Sequence, residues 1–304
     1  MPICSVKSVS VDVLEHFDIG VRFVNMVRAV NMQIFLTVDL PTYAELVHEF
    51  YTSFKFEIAD DSTVASPDTV QFRLSGRYIS MTVTAFSHFL GMLTEEQVES
   101  GEFLTYYCEF PSSFNDQTYY SQISDDPNPY DPRTSKANTL LDPVHRIFQR
   151  FLALNFAGRV ESSNILSRTE LFFIWCVEHR LKVNTGFFIL NQLKFIVGQL
   201  STRRKHLILG PIITHLAREL VEFPMENPLL TDTVSIEYLD FHAFCRMKIL
   251  RPVGANRFEF IPPVGAAPAD APEAAPHVDD VRLARMEARQ ECMENLLQSV
   301  VHSM

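Results

Sequence analysis

The most constraining feature of the sequence is a long apolar stretch from Gly158 to Phe223. It contains three segments whose apolar residues recur at helical spacing. Ser167 and Glu170 form a capping-box sequence before the first segment, and Gly210-Pro211 places a proline in the first turn of the third. We therefore predict three consecutive helices in the middle of a core. The first is apolar nearly all round, so we expect Trp175 to be buried.

The segments on either side predict further helices and short strands. Apolar alternation interrupted by turn residues predicts hairpins at positions 69–82 and 248–261. The predicted fold class is mainly α-helical (α+β), with a multi-helix core and one or two small β-hairpins. The remaining local predictions are a lead-in without regular structure at 1–11, a helix over Val13–Val30, a helix with Pro41 in its first turn, a helical turn capped by Thr94, and helices over 140–156 and 235–250.

Composition divides the chain into regions. Residues 1–261 are the predicted helical core domain. Within it, residues 111–139 are rich in Pro, Ser, Asp, Asn and Tyr, which predicts a long exposed loop. Residues 262–278 form a Pro/Ala linker that has little to bury. Residues 279–304 are predicted to be an amphipathic, coiled-coil-like helix.

The predicted C-terminal helix has a candidate self-association stripe. Its members recur in steps of three and four: Leu283, Met286, Gln290, Met293, Leu297 and Val300. With Leu283 at position a, a parallel dimer would place Arg282 opposite Glu287 and Arg289 opposite Glu294. A homo-oligomer through this helix is one interpretation. The other is that the stripe folds back over the linker onto the chain's own core, or frays, since short apolar patterns are ambiguous.

Charge limits the classes of partner. The net charge is −11, which opposes nonspecific binding to phosphate backbones. The basic cluster contains Arg203, Arg204 and Lys205, and its simplest interpretation is a solvated loop between two helices. We expect weak nucleic-acid binding at most, with these three residues as the contact. No apolar run approaches the roughly 18 residues of a membrane span, so no membrane partner is expected.

The five cysteines are scattered and contain no Cys-x-x-Cys pair, which excludes the usual zinc knuckles and fingers. An odd number of dispersed cysteines is typical of reduced thiols, and no signal peptide is recognisable. We therefore expect an intracellular location, without distinguishing nucleus from cytoplasm. His215 and Glu219 lie four residues apart, a spacing typical of a surface contact on a helix.

Catalytic interpretations require a constellation of side chains. Asp60-Asp61 and Asp125-Asp126 are paired acids that could join Glu170 or Glu178 in a metal-binding set. Each pair lies in a polar stretch where Asp is an ordinary turn residue, and Glu178 lies at the polar end of its helix. We therefore assign no catalytic, cofactor-binding or metal-binding residue, and we expect a protein that is not an enzyme and needs no cofactor.

Four short motifs occur in a recognisable order along the core. They are Leu46-Val47-His48-Glu49-Phe50-Tyr51, Leu90-Gly91, Val183-Asn184-Thr185-Gly186 and Leu209-Gly210-Pro211-Ile212-Ile213-Thr214. Their order and spacing resemble the plant transposon protein domain and the related first-reading-frame protein of Athila-type plant retrotransposons. The resemblance covers residues 20–260, and none of the motifs is catalytic.

The resemblance implies an origin in a retroelement and no particular mechanism. The chain has no recognisable reverse transcriptase, protease or integrase pattern and no nucleocapsid Cys/His knuckle. The first hypothesis is a non-enzymatic structural or interaction protein, such as a gag-like assembly component. The alternative is a nucleic-acid-associated transposon protein with latent nuclease or transposase-related chemistry.

Truncation tests the predicted C-terminal helix. We expect a chain that ends after Val264 to have a lower oligomeric mass than the full chain at micromolar concentration, because it lacks the whole a/d stripe. Light scattering coupled to size exclusion measures both masses. Equal masses would show that the stripe is not an oligomerisation element.

Overall fold

The computed structural model describes residues 2–59, 68–199, 206–221, 232–233, 236–254 and 257–263. Within these ranges the chain combines α-helices with small β-sheets, so the expected α+β class is confirmed. The predicted C-terminal helix and almost all of the linker lie outside the described residues. The helices are α1 (Val11–His16), α2 (Gly20–Ala29), α3 (Ile34–Thr37), α4 (Ala44–Ser53), α5 (Val83–Phe89), α6 (Glu95–Glu99), α7 (Asp116–Ile123), α8 (Pro143–Asn155), α9 (Arg168–Glu178), α10 (Thr185–Gly198), α11 (Gly210–Val221) and α12 (Phe241–Arg246).

The strands form four small sheets within the described residues. The strands are β1 (Val6–Val9), β2 (Thr42–Tyr43), β3 (Lys55–Glu57), β4 (Thr69–Leu74), β5 (Arg77–Thr82), β6 (Asp232–Thr233), β7 (Ile236–Leu239), β8 (Leu250–Gly254) and β9 (Arg257–Phe260). β3, β4 and β5 make an antiparallel sheet, and β8 and β9 make a hairpin, which confirms both predicted hairpins. β2 pairs antiparallel with β6, and β1 pairs parallel with β7.

The three consecutive helices predicted in the central stretch are α9, α10 and α11. The capping box of α9 is confirmed, because Ser167 Oγ accepts from the Glu170 amide at 3.4 Å and a Glu170 carboxylate oxygen accepts from the Ser167 amide at 3.0 Å. Trp175 is buried as predicted, with 8% of its surface exposed. Its ring centroid lies 5.8 Å from that of Phe172 and 5.4 Å from that of Phe114.

Helix α8 is unusual because it is buried from Val144 to Asn155 although it carries polar side chains. Four of its polar side chains, those of Arg146, Gln149, Arg150 and Asn155, bond to main-chain atoms outside the helix. The Asn155 amide group accepts from the Lys7 N–H at 2.7 Å and donates to the Lys7 carbonyl at 2.8 Å, so it completes the backbone pairing of β1. Arg146 donates to the Leu140 carbonyl at 2.6 Å. Buried polar groups require such partners, and here the partners hold separate parts of the chain to one helix.

The carboxylate of Glu170 joins α8 to α9 in the interior, where Glu170 is fully buried. It accepts from Gln149 of α8 at 2.9 Å and from the guanidinium of Arg159, in addition to closing its own capping box. Arg159 follows α8 and also donates to the Ile165 carbonyl at 3.0 Å. A buried carboxylate is stable only when it is paired and fully bonded, and this one has three donors.

The expected lead-in at 1–11 is wrong, because Val6–Val9 forms strand β1. Its parallel partner is β7, which lies about 230 positions further along the chain, with Val6 opposite Ile236 and Val9 opposite Leu239. The expected helix over 235–250 is therefore also partly wrong. Helix α12 is only six residues long and begins after Asp240, whose side chain accepts from the Ala243 amide at 2.7 Å.

The segment 111–139 differs in part from the expected exposed loop, because many of its residues are exposed but others are buried. The segment contains α7, with Asn115 as its N-cap, and its tyrosines point inward. Tyr119, Tyr120 and Tyr130 are buried, and Tyr130 OH donates to the Leu166 carbonyl at 3.0 Å. Polar composition suggested exposure, but tyrosine buries a large ring when its hydroxyl finds a partner.

Two helix boundaries also differ from the sequence interpretation. The expected helix over Val13–Val30 is two helices, α1 and α2, separated by Asp18 in a left-handed conformation with φ of 52°. The helix expected to have Pro41 in its first turn begins at Ala44 instead, because Thr42–Tyr43 pairs with β6. The interruption at Asp18 and the two-residue strand Thr42–Tyr43 are too short to change the apolar periodicity from which helix boundaries are predicted.

Glu170→Ala tests the buried carboxylate. We expect the free energy of unfolding to fall by about 3–5 kcal/mol, because Arg159 and Gln149 lose their shared acceptor in the interior. Glu237→Ala is the matched control, since Glu237 pairs with Lys7 but its side chain is 54% exposed, and it should cost about 1 kcal/mol or less. Urea unfolding measures both values, and similar costs would contradict the role given to Glu170.

Candidate functional site

A groove of about 680 Å³ lies between helix α2 and the facing ends of α8 and α9. Its residues from α2 and the turn before it recur at helical spacing, so one face of α2 forms one wall. The N-terminal turn of α8 and the C-terminal turn of α9 form the other. The groove is lined by Asp18, Val21, Arg22, Asn25, Met26, Ala29, His145, Val177 and Glu178.

His145 is the buried polar member of this lining, with 3% of its surface exposed. Its Nε2 lies 3.2 Å from Glu178 Oε1 and 3.6 Å from Asp142 Oδ2. Arg22 forms an ion pair with Asp142, and Tyr119 OH donates to Glu178 Oε2 at 2.5 Å. Five polar side chains therefore form a continuous row. In order along the row they are Arg22 of α2, Asp142 and His145 at the start of α8, Glu178 at the end of α9, and Tyr119 of α7.

Local sequence explains how the row is positioned. Asp142 is the N-cap of α8 and accepts from the Val144 amide at 2.8 Å, while Pro143 occupies the first turn. His145 follows one turn later, on the side of α8 that faces the end of α9. Glu178 is the last residue of α9. Two helix ends therefore bring an imidazole between two carboxylates.

Burial lowers the pKa of His145, and this effect exceeds the opposite influence of Asp142 and Glu178. The imidazole is therefore neutral near pH 7. The two carboxylates near Nε2 favour the tautomer with its proton on that atom, which leaves Nδ1 as an acceptor. Within the described residues Nδ1 has no hydrogen-bond partner. Burial also raises the pKa of Tyr119, and the hydrogen bond to Glu178 raises it further, so this phenol stays protonated.

The candidate residues predicted from the sequence cannot be placed at this groove. Arg203, Arg204 and Lys205 lie outside the described residues, as does the acid pair Asp60-Asp61. The same holds for the self-association stripe of Leu283, Met286, Gln290, Met293, Leu297 and Val300. Nucleic-acid contact and self-association therefore stay predictions.

Other residues weighed for chemistry have structural contacts. Asp126 accepts from the Asn128 amide at 3.0 Å, which lowers the pKa of its carboxyl and confirms its turn role. Cys176 is buried, and desolvation raises the pKa of its thiol to about 12. The Nε2 atom of His215 lies 3.1 Å from the carbonyl oxygen of Phe89, the last residue of α5. The spacing of the sequence had suggested a contact with Glu219 instead.

The His145 groove was not predicted from the sequence. No role was assigned to His145, and Glu178 was expected only to form the polar end of its helix. One signal was present, because polar residues at positions 145, 146, 149 and 150 interrupt an otherwise apolar helix at spacings of one and three. Such a polar stripe on a core helix indicates buried hydrogen bonds, but it does not reveal which segments supply the partners.

Three further observations concern the described part of the chain. No group of three His, Cys, Asp or Glu side chains there is placed so that it could hold a metal ion. Its four cysteines are free thiols. None of its helices has the length and apolar character that crossing a membrane requires.

Comparison of the chain with family models, with curated proteins and with solved structures gave no match. The resemblance to plant retroelement proteins therefore stays a prediction from the motifs.

Replacement of His145 tests the protonation of the groove. The free energy of unfolding should fall as pH drops below about 6.5, because the unfolded histidine takes up a proton at a higher pH than the buried one. In His145→Gln this contribution is absent, so the wild-type advantage measured by urea unfolding should be smaller at pH 5 than at pH 7.5. His48→Gln, at an exposed position of α4, is the control. A wild-type advantage that is the same at both pH values would contradict the lowered pKa.

Proposed function

We propose that the chain is a retroelement-derived structural or interaction protein without enzymatic activity, of the gag-like assembly type. The observation that supports this is the location of the motifs that carry the resemblance. Most of their residues are buried in the core, and several of their polar atoms bond there. Tyr51 OH, for example, accepts from the Ile208 amide at 3.1 Å and donates to the Ile208 carbonyl at 3.2 Å, which joins α4 to the segment before α11.

The glycines of these motifs permit close approach between elements. A Cβ on Gly186 would lie 1.9 Å from Ser87 Oγ in α5, and a Cβ on Gly210 would lie 2.5 Å from Thr42 Cγ2 in β2. Thr185, beside Gly186, donates its hydroxyl to the Val30 carbonyl. Residue types that allow such packing are needed for a particular fold and do not themselves perform chemistry.

The reactive side chains of the core support the same proposal. The raised pKa of Cys176 keeps its thiol protonated near pH 7, and a thiol is a poor nucleophile. The carboxylate of Glu170 has its donors from the capping box and from α8. These groups stabilise the fold, and an interaction protein needs such a stable scaffold for its surfaces.

The mass of the full chain in solution, with and without nucleic acid, tests this proposal. We expect a mass above that of one chain by light scattering, and no change when short DNA or RNA is added at physiological salt, because the net charge of −11 repels phosphate. We also expect no cleavage of either nucleic acid with Mg²⁺ or Mn²⁺.

Two outcomes favour other interpretations. A chain that stays monomeric contradicts assembly. Nanomolar nucleic-acid binding, or cleavage that survives further purification, favours the alternative of a nucleic-acid-associated transposon protein. A variant with Ala at positions 203, 204 and 205 is the control, since any weak binding through that cluster should disappear in it.

A further inference from the structure

We propose that strand β5 (Arg77–Thr82) pairs antiparallel with β5 of a second copy of this chain, across a two-fold axis at Ser80. The sheets β3-β4-β5 of the two copies would then form one continuous sheet. This inference rests on the proposed assembly role, because it names the partner and the surface of that role. Main-chain hydrogen bonds between the two strands supply most of the contact.

Strand β5 lies at one edge of its sheet. One side of the strand pairs with β4 over its whole length, from Arg77 opposite Leu74 to Thr82 opposite Thr69. No main-chain hydrogen bond from another described segment reaches its other side. With six residues, β5 is longer than any other edge strand in the described part of the chain. A long open edge presents unpaired N–H and C=O groups to a second chain.

The turn of the hairpin determines which main-chain groups of β5 face outward. Ser75 and Gly76 connect the two strands with φ of 50° and 78°, as in a two-residue hairpin loop. The residues that flank such a loop, Leu74 and Arg77, form a hydrogen-bonded pair. Bonded and non-bonded pairs alternate along an antiparallel ladder. Every second residue from Arg77 onward therefore directs its main-chain groups toward β4.

The far end of the strand agrees with this alternation. The Val83 amide donates to the Asp68 carbonyl at 3.2 Å, and Val83 is an even number of residues beyond Arg77. The residues between these positions, Tyr78 and Ser80 among them, therefore direct their N–H and C=O groups away from β4. These groups are the ones that a second strand would bond.

Side chains of β5 are more exposed than those of β4 on the same face of the sheet. Val70 and Phe72 of β4 are fully buried, whereas Met81 and Ile79, which lie directly opposite them, are only half-buried. On the other face, Tyr78 is 61% exposed. A strand added at this edge would cover Ile79 and Met81 from their open side, so apolar burial would add to the main-chain bonds.

The other edges in the described part of the chain carry features that discourage pairing, such as charged residues and proline. Charged residues occur in β3, β7 and β9, and β8 contains Arg251 and Pro252. The main-chain groups of Lys7 in β1 are bonded by Asn155, and β2 and β6 have only two residues each. In contrast, β5 has no proline, and its one charged residue is its first.

The pairing centred on Ser80 matches residues of the same kind. Directly opposite residues of an antiparallel pair lie on the same face and contact each other. With Ser80 opposite Ser80 of the second copy, Ile79 of each chain lies opposite Met81 of the other, and Tyr78 lies opposite Thr82. The half-buried apolar side chains therefore meet on one face, and the exposed polar ones meet on the other.

Charge favours the same register. Arg77 is the charged residue of β5, and the pairing centred on Ser80 places it opposite the uncharged Val83. A pairing centred on Ile79 would instead place Arg77 opposite Met81 and break the apolar pair. Like charges opposite each other would destabilise a pair of strands, and the register at Ser80 has none within β5.

Ser80→Lys tests the edge in the full chain. We expect the dissociation constant of the dimer to rise more than about tenfold, because the two-fold pairing places two ammonium groups opposite each other. Sedimentation velocity over a micromolar concentration series measures the constant. Ser121→Lys, at an exposed position of α7, adds the same charge away from the sheet and should leave the constant unchanged. Far-UV circular dichroism checks that each variant keeps the wild-type fold.

Cysteine crosslinking of the full chain tests the register. In Ser80→Cys the two introduced residues lie opposite each other with Cα atoms about 5.5 Å apart, a separation that a disulfide spans. In Tyr78→Cys they are four positions apart along the paired strands, roughly 13 Å, which a disulfide cannot span. Mild oxidation followed by non-reducing electrophoresis should therefore give a crosslinked dimer of Ser80→Cys alone, above the level that the natural cysteines give in the wild-type chain.

The outcomes separate this proposal from the assembly role. Equal crosslinking of Ser80→Cys and Tyr78→Cys, or no crosslinked dimer of Ser80→Cys above the wild-type level, would overturn the pairing. An unchanged dissociation constant in Ser80→Lys would also overturn it, and a wild-type chain that still associates would then support assembly through another surface. A wild-type chain that stays monomeric at every concentration would contradict both the pairing and the assembly role.

Discussion

The structure depends on one buried carboxylate, that of Glu170. It lies where α8 and α9 meet, and it accepts from Gln149, from Arg159 and from the amide that begins α9. The same group therefore caps one helix and joins it to another. An ionised side chain in an interior is stable only with such complete bonding. The position and rotation of α8 about its axis are consequently defined by polar contacts as well as by apolar packing.

The orientation of α8 has consequences at both ends of the helix. At its C-terminus, Asn155 pairs with the main chain of Lys7 and so holds the first strand against the core. At its N-terminus, Asp142 and His145 are directed toward Arg22 and Glu178. The groove is thus a product of the same helix that organises the interior. A rotation of α8 that broke the bonds of Gln149 would also move His145 away from Glu178.

The proposed function uses the interior of this arrangement. An assembly or interaction role requires a stable scaffold, and the close contacts at Gly186 and Gly210 with Tyr51 supply one.

The sequence by itself determined the local elements of this protein. The three central helices, the capping boxes at Ser167 and Thr94 and both hairpins are encoded by residues a few positions apart, whose hydrogen bonds close within the same segment. Tertiary structure alone decided the pairing of β1 with β7, the burial of the tyrosines between 111 and 139, and the meeting of His145 with Glu178. The residues that meet in these features are between 33 and about 230 positions apart in the sequence. A periodicity within one segment therefore cannot predict them. Whether a polar side chain is exposed or buried depended on a partner that only the folded chain brings near.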